Sequence, residues 1–138
     1  MQTERKAKIS PNSQVFFKYL RFVSTQNYST FMMELLPEEL KNLLPKLYEQ
    51  EGTPDQKVFI KYFFPAGNWT WFVTEGEPRG DDFLFFGYVI GLDKEWGYFT
   101  LKQLEEININ YLTVERDLYF RQEEFSRCLA RWKLERGG

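Results

Sequence analysis

The chain has 138 residues, which is enough to bury one hydrophobic core. Hydrophobic residues make up 43% and aromatic residues 19%, and this composition excludes an intrinsically disordered protein. A formal net charge of −2 argues against binding of nucleic acid through bulk positive charge, and a single cysteine excludes an internal disulfide.

Charge divides the chain into three parts. Residues 1–32 carry five basic residues and one acidic residue, residues 33–120 carry eight basic and sixteen acidic, and residues 121–138 carry five basic and three acidic. We therefore predict a basic leader (1–32) that is either partly ordered or dispensable, an α+β domain (33–120) and a basic C-terminal helix or tail (121–138). The basic termini leave contact with nucleic acid open, although terminal charge more often only increases solubility. The chain shows no apolar run that fits a signal-peptide core or a membrane span, so we expect a cytoplasmic protein.

The middle of the chain begins with a predicted helix and continues as strands. From Leu36 the apolar residues follow a helical spacing, and Pro45 is predicted to end or kink this helix. Three segments rich in aromatic and β-branched residues then predict strands: VFIKYFF (58–64), WTWFVTE (69–75) and FLFFGYVIG (83–91). The links between them, including the predicted turn GEPRGDD (76–82), are too short for parallel crossovers and favour antiparallel neighbours.

The last third of the chain predicts a short strand, two helices and a final extended segment. The strand covers residues 96–99, and a capping box formed by Thr100 and Gln103 starts the next helix. The segment VERDLYF (114–120) predicts a last strand or extended edge. A C-terminal helix follows, whose apolar stripe is Phe125, Leu129 and Trp132. The predicted fold class is α+β, a single domain with a four- to five-stranded, mainly antiparallel sheet and helices packed on one face.

Several short motifs occur in an order that resembles a known bacterial family. They are NWTW, LFFGYVIG, EWGYFTLKQLEEI and VERDLYF, and they span roughly residues 33–120. This combination resembles domain of unknown function 2958 (DUF2958), a family of small cytosolic proteins carried by plasmids, integrative elements and phages. The resemblance implies a setting beside anti-restriction or DNA-processing genes, and it brings no catalytic residue.

The stretch NWTW offers both core residues and a candidate binding platform. Trp71 and Phe72 are predicted core residues, because large aromatic side chains dominate the interior of such sheets. Trp69 follows Asn68 at the start of the strand, where we expect a partly exposed ring. Together with Asn68 it would form a platform for a base or another planar group.

The segment around Arg116 carries the other candidate site residues. On an extended strand Glu115 and Asp117 share one face and Arg116 points the other way. Arg116 and Tyr119 are candidate ligand- or partner-binding residues beside the aromatic platform. The two carboxylates would form ion pairs with neighbouring strands or, in the alternative interpretation, hold a divalent cation together with Glu75 and Glu95.

The chemistry that the sequence lacks argues against an enzyme. The chain has no histidine, which removes the usual zinc ligand and every Ser-His or Cys-His pair, and it has no phosphate-binding glycine loop. Our first hypothesis is a non-catalytic binding protein of a mobile element or phage, an anti-defence factor that binds a protein or a nucleotide-like ligand without a cofactor. The alternatives are a metal-dependent hydrolase or nuclease, and a single-stranded nucleic-acid binder.

Overall fold

A computed structural model describes residues 33–137, which form three helices and nine strands. The helices are α1 (Glu38–Leu43), α2 (Leu101–Glu105) and α3 (Phe125–Glu135). The strands are β1 (Lys57–Val58), β2 (Ile60–Phe63), β3 (Thr70–Arg79), β4 (Asp82–Ile90), β5 (Lys94–Thr100), β6 (Asn108–Ile109), β7 (Leu112–Thr113), β8 (Glu115–Arg116) and β9 (Glu123–Glu124). Within this part of the chain, no helix has the length and apolar character needed to cross a membrane.

One antiparallel sheet of five strands organises the domain. Its strand order is β5-β4-β3-β2-β8, and every neighbouring pair is antiparallel. The short pairs β1–β9 and β6–β7 lie outside this sheet. The predicted α+β class and the predicted antiparallel sheet are confirmed. The predicted leader at 1–32 lies outside the described residues.

The first face of the sheet, here called the α1 face, packs against the N-terminal helical region and α2. Trp71 and Val73 of β3 point to this face and are fully buried. Leu44, directly after α1, and Leu104 of α2 belong to the same apolar cluster. α1 itself contributes no buried residue. The helix ends at Leu43, the buried Leu44 follows it directly, and Pro45 then interrupts the helical pattern.

The opposite face, here called the α3 face, is covered by the C-terminal helix. Phe72 and Ile90 point to it and pack with Cys128 and Trp132 of α3. The Phe125 ring lies 4.7 Å from the ring of Tyr88 and 4.8 Å from that of Trp96, measured between centroids. The helices are thus divided between the two faces, whereas the sequence led us to expect one. The reason is visible in β4, whose apolar residues occupy both of its faces and need cover on each.

One turn and one strand are shorter than the sequence predicts, and a predicted helix start is confirmed. The predicted turn 76–82 shrinks to Gly80 and Asp81, because Arg79 pairs with Asp82 and Gly80 adopts a φ of +59° that suits a tight hairpin. The predicted strand 114–120 is regular only at β8, after which the chain turns at residues 118–119. The predicted capping box is confirmed: Thr100 Oγ1 accepts from the Gln103 backbone at 3.1 Å, and Gln103 Oε1 accepts from Thr100 at 2.8 Å.

A β-bulge lies in the middle of β3. Val73 pairs with Gly87 and Glu75 with Phe86, so Thr74 is an extra residue that has no opposite residue in the register of β4. The Thr74 side chain is buried and its hydroxyl donates to the carbonyl of Phe86 at 3.1 Å. Because of the extra residue, Glu75 follows Phe86 onto the α3 face.

Candidate functional site

A groove runs between α3 and the edge of the sheet formed by β2 and β8. It consists of two neighbouring cavities with volumes of about 310 and 440 Å³. Both cavities are lined by Lys61, Asp117, Trp132 and Glu135, which makes them one continuous depression, here called the α3 groove. Lys61 reaches it because side chains alternate along β2, and its neighbours Ile60 and Tyr62 point into the core of the α1 face.

Lys61 lies at the centre of the α3 groove between two carboxylates. Its Nζ is 3.7 Å from Asp117 Oδ2 and 4.0 Å from Glu135 Oε1. The Lys61 side chain is only 18% exposed. Both distances exceed hydrogen-bond length, so Lys61 is held between the two carboxylates by charge alone.

The loop after β8 presents Asp117 and Tyr119 to the groove. The Asp117 backbone N–H donates to the carbonyl of Lys61 at 2.9 Å, which continues the antiparallel pairing beyond β8. Asp117 Oδ1 accepts from the backbone N–H of Tyr119 at 3.0 Å, and this contact closes the turn. Tyr119 is left 92% exposed at the mouth of the groove.

Trp132 forms the wall shared by the two cavities. It is 8% exposed, and its indole N–H is buried without a hydrogen-bond partner among residues 33–137. Lys94 Nζ lies 5.0 Å and Arg136 Cζ 4.9 Å from the centre of the Trp132 ring, which are cation–π distances. The Trp132 ring in the groove wall is therefore in contact with two positively charged side chains.

Cys128 lies at the floor of the groove beside an ion pair. Glu123 and Arg131 form a bidentate pair, and the hydrogen bond from Arg131 lowers the pKa of Glu123. Burial, with the Glu123 carboxylate as a second cause, raises the pKa of Cys128 to about 12. The neutral thiol is the form that fits this position.

We expect Cys128 to react slowly with the thiol reagent DTNB at pH 8. The thiolate is the reactive species, and a raised pKa leaves very little of it in the folded protein. Addition of guanidinium should expose the thiol and restore a fast reaction. The absorbance of the coloured product that the reagent releases measures both rates. Equal rates in folded and unfolded protein would contradict the burial of Cys128.

The predicted platform of Asn68 and Trp69 is not assembled as one surface. Asn68 lines the α3 groove, whereas Trp69 packs against the core of the α1 face and stacks on Trp71 at an interplanar angle of 28°, with ring centroids 6.3 Å apart. Adjacent residues of an extended chain point to opposite sides, and this alternation separates the two.

Of the two other predicted binding residues, Tyr119 reaches the groove and Arg116 does not. Arg116 pairs with Tyr62, whose side chain belongs to the core of the α1 face. The Arg116 guanidinium donates to the carbonyl of Glu34 at 3.4 Å. The arginine therefore faces away from the groove, as the alternation with Glu115 and Asp117 predicts.

The four predicted carboxylates do not converge. Glu95 lies on β5 at one edge of the sheet, and Glu115 and Asp117 lie at the other edge. The carboxylate of Glu75 accepts from the backbone N–H groups of Tyr48 at 2.8 Å and Gln50 at 2.7 Å, which fixes the loop between α1 and β1. Residues 33–137 contain no group of three or more Asp, Glu, Cys or His side chains arranged to hold a metal ion.

Residues 35–133 match the model of a family described as Protein of unknown function (DUF2958). The chain belongs to this family. No curated protein and no solved structure is detectably similar to it.

The DUF2958 match covers more of the chain than the motifs suggested. The motifs ended near residue 120, whereas the match continues to residue 133 and includes most of α3. The C-terminal segment is accordingly part of the domain, as the buried side chains of Cys128 and Trp132 also show. Much of the α3 groove thus lies within the DUF2958 region, while residues 1–32 precede it.

Sequence reasoning missed the central residues of the groove. Trp132 was predicted only as part of an apolar stripe, and Lys61 and Glu135 were not predicted at all. One signal for Lys61 is present in the sequence, because it is the single charged residue within the apolar run VFIKYFF. A lone lysine in a strand that is otherwise suited to burial indicates a place where that strand borders a polar site.

Proposed function

We propose that the protein is a non-catalytic binding protein that holds a polypeptide partner in the α3 groove. The observation that carries this proposal is the composition of the groove lining. Tyr119 and Phe120 provide accessible aromatic surface, the buried rings of Phe72 and Trp132 also line the groove, and charged residues of both signs surround them. Binding sites for polypeptides combine aromatic anchors with a charged rim in this way.

A polypeptide fits this lining better than a nucleic acid does. The groove lining carries the cations Lys61, Arg121, Arg131 and Arg136 among three carboxylates, and a chain of phosphates would meet each carboxylate, those of Asp117, Glu123 and Glu135. A nucleotide-like ligand would need a stacking surface, and Trp69, the predicted platform, packs against the core instead. The balance of charge and aromatic surface therefore supports the protein partner among the ligands that the sequence left open.

The alternative of a metal-dependent hydrolase receives no support from the described residues. Its four carboxylates occupy both edges of the sheet and a structural hydrogen-bond network. Hydrolysis with a bound cation needs ligands that meet at one point. We therefore keep the binding function as the single proposal.

The cellular setting that we propose rests on the family resemblance. It is that of an accessory protein of a bacterial mobile element or phage, acting in the cytoplasm as an anti-defence factor. Such a protein would bind a component of the host and block it sterically, which requires no cofactor. A groove with an exposed tyrosine at its mouth is suited to that task.

The proposal can be tested by photo-crosslinking with the full-length chain. The amino acid p-benzoyl-phenylalanine replaces Tyr119, which is 92% exposed and lines the groove. A matched control replaces Leu92, which is 85% exposed in the turn between β4 and β5, outside both groove cavities. We expect a discrete protein adduct from the Tyr119 position in bacterial cells that carry the gene, and loss of that adduct when unmodified protein competes.

Three results would count against the groove as a protein-binding site. The first is the same set of adducts from both positions, because it would show random collision. The second is an adduct at Tyr119 that nuclease removes and protease does not. The third is the absence of any adduct at Tyr119 in cells that contain the protein at its natural level.

A further inference from the structure

The two faces of the sheet are covered unequally. Among residues 33–137, the apolar cluster of the α1 face contains fifteen buried residues, whereas that of the α3 face contains five. α3 contributes only two buried side chains to the smaller cluster, those of Cys128 and Trp132. Burial of apolar surface is the main favourable contribution to folding, so α3 is held to the sheet by much less of it than the elements on the α1 face.

The contact of α3 with the rest of the domain also buries polar groups that lack partners. Gln56 is 3% exposed, and neither its amide oxygen nor its amide nitrogen has a hydrogen-bond partner among the described residues. Its backbone carbonyl accepts from Phe125, the first residue of α3, at 2.7 Å. Strand alternation places the Gln56 side chain on the same side as that of Val58, which packs in the α3-face cluster.

The free-energy balance of α3 is therefore unusual for a helix that covers a sheet. The indole N–H of Trp132 is likewise buried without an acceptor among residues 33–137. A buried polar group without a partner costs free energy, and that cost disappears when the group reaches water. Opening of α3 would expose little buried apolar surface and would release both Gln56 and Trp132.

The polar contacts that hold α3 in the described part of the chain are few and exposed. The α3 groove separates one side of the helix from β2, where Lys61 and Glu135 are 4.0 Å apart. The carboxylate of Asp55 accepts from the backbone N–H of Ser126 at 3.0 Å and from its hydroxyl at 2.6 Å. The β1–β9 pairing that precedes α3 covers only two residues of each strand. Exposed contacts of this kind contribute little to stability.

We infer that α3 opens away from the sheet as a unit while the five-stranded sheet stays folded, and that the buried amide of Gln56 is one cause. The α3 groove exists only in the closed form, because α3 supplies one of its walls. The open form uncovers Phe72 and Ile90 instead. The equilibrium between the two forms is thus a switch that sets the fraction of the protein able to bind in the groove, whatever the partner is.

Native-state labelling of Cys128 in the full-length chain tests this inference, because Cys128 is the single cysteine and is buried. The rate of reaction with DTNB is measured at guanidinium concentrations below the unfolding transition and divided by the rate in unfolded protein. This ratio gives the open fraction, and a denaturant titration gives the globally unfolded fraction. We expect the open fraction to exceed the unfolded fraction about 100-fold or more, with a denaturant dependence that is weaker than that of global unfolding but measurable.

Two pairs of variants and one measurement on the unmodified chain sharpen the test. Gln56→Met should lower the labelling rate about tenfold, because it removes the unpaired amide at similar size, and the same change at the exposed Gln122 should leave the rate unchanged. Val73→Cys combined with Cys128→Ala moves the thiol into the core of the α1 face, where it should react only in proportion to the globally unfolded fraction of that variant. Amide hydrogen exchange of the unmodified chain should show the α3 amides exchanging together and faster than those of β3 and β4.

Four results would overturn the inference. Labelling of Cys128 only in proportion to the globally unfolded fraction would show that α3 and the sheet unfold together, and equal protection of the α3, β3 and β4 amides would show the same without a reagent. Labelling without any denaturant dependence would reveal a fluctuation of Cys128 alone. Unchanged or faster labelling in Gln56→Met would remove the buried amide as a cause. None of these results affects the proposed binding function, which needs only the closed form.

Discussion

Replacement of Trp71 by alanine is expected to lower the free energy of unfolding by about 3–5 kcal/mol, as truncation of a buried aromatic side chain does. Trp71 is fully buried in the cluster that joins the sheet to the region of α1 and α2. Domains of this size have free energies of unfolding of about 5–15 kcal/mol, so the variant should lose a large part of its stability. Denaturant titration followed by far-UV circular dichroism measures the difference.

Trp69→Ala is the matched control for that measurement. Trp69 stacks on Trp71 but is only half-buried, so its removal should cost clearly less stability. The two tryptophans share the strand region and the residue type, and they differ mainly in burial. Equal and large losses at both positions would show that the whole stretch is core, and the ranking by burial would be wrong.

Glu75→Ala is expected to cost about 2–4 kcal/mol, the second-largest effect, because each donor that loses its buried acceptor costs about 1–3 kcal/mol. The two oxygens of the buried Glu75 carboxylate accept from the backbone of Tyr48 and Gln50. Their loss should also loosen the loop between α1 and β1. Hydrogen exchange of those two amides, together with a thermal melt, gives the direct measurement.

Glu77→Ala provides the control for Glu75. Glu77 accepts one backbone N–H, that of Leu47 at 3.2 Å, and is less buried, so its loss should cost less. The same melts separate a structural role from a metal-binding one. A rise of the melting temperature of the wild-type protein with Mg²⁺ or Mn²⁺, abolished by Glu75→Gln, would establish a metal site and contradict the loop-fixing role.

Local patterns in the sequence were sufficient to predict most of the elements. Segments rich in aromatic and β-branched residues located β2, β3 and β4, and the side chains of Thr100 and Gln103 located the start of α2. These patterns are sufficient because they depend on neighbours within a few positions. The faces of Trp71 and Phe72 also follow from alternation alone, and both residues are buried, on opposite sides of the sheet.

The α3 groove could not be predicted because long-range contacts create it. Lys61 meets Asp117 and Glu135 only after β8 has paired with β2 and α3 has packed on the same face. Asn68 and Tyr119 were predicted as binding residues, and they line the groove, but nothing local to Trp132 distinguished a groove wall from an ordinary core residue. The α3 groove forms because α3 packs on the second face of the sheet, which the sequence did not indicate.

The bulge at Thr74 has a consequence for comparing this chain with its relatives. In the first half of β3 the odd-numbered residues point to the α1 face, and after the bulge the even-numbered ones do, since Gly76 pairs with Phe85 of that core. Regular pairing through Thr74 would place Glu75 opposite Phe85 and direct its charge into the hydrocarbon core of the α1 face, and the bulge instead keeps Glu75 opposite Phe86. A relative that lacks this one residue would keep every later side chain of the strand on the same face through regular pairing. An alignment without a one-residue gap here would therefore assign every later residue of the strand to the wrong side.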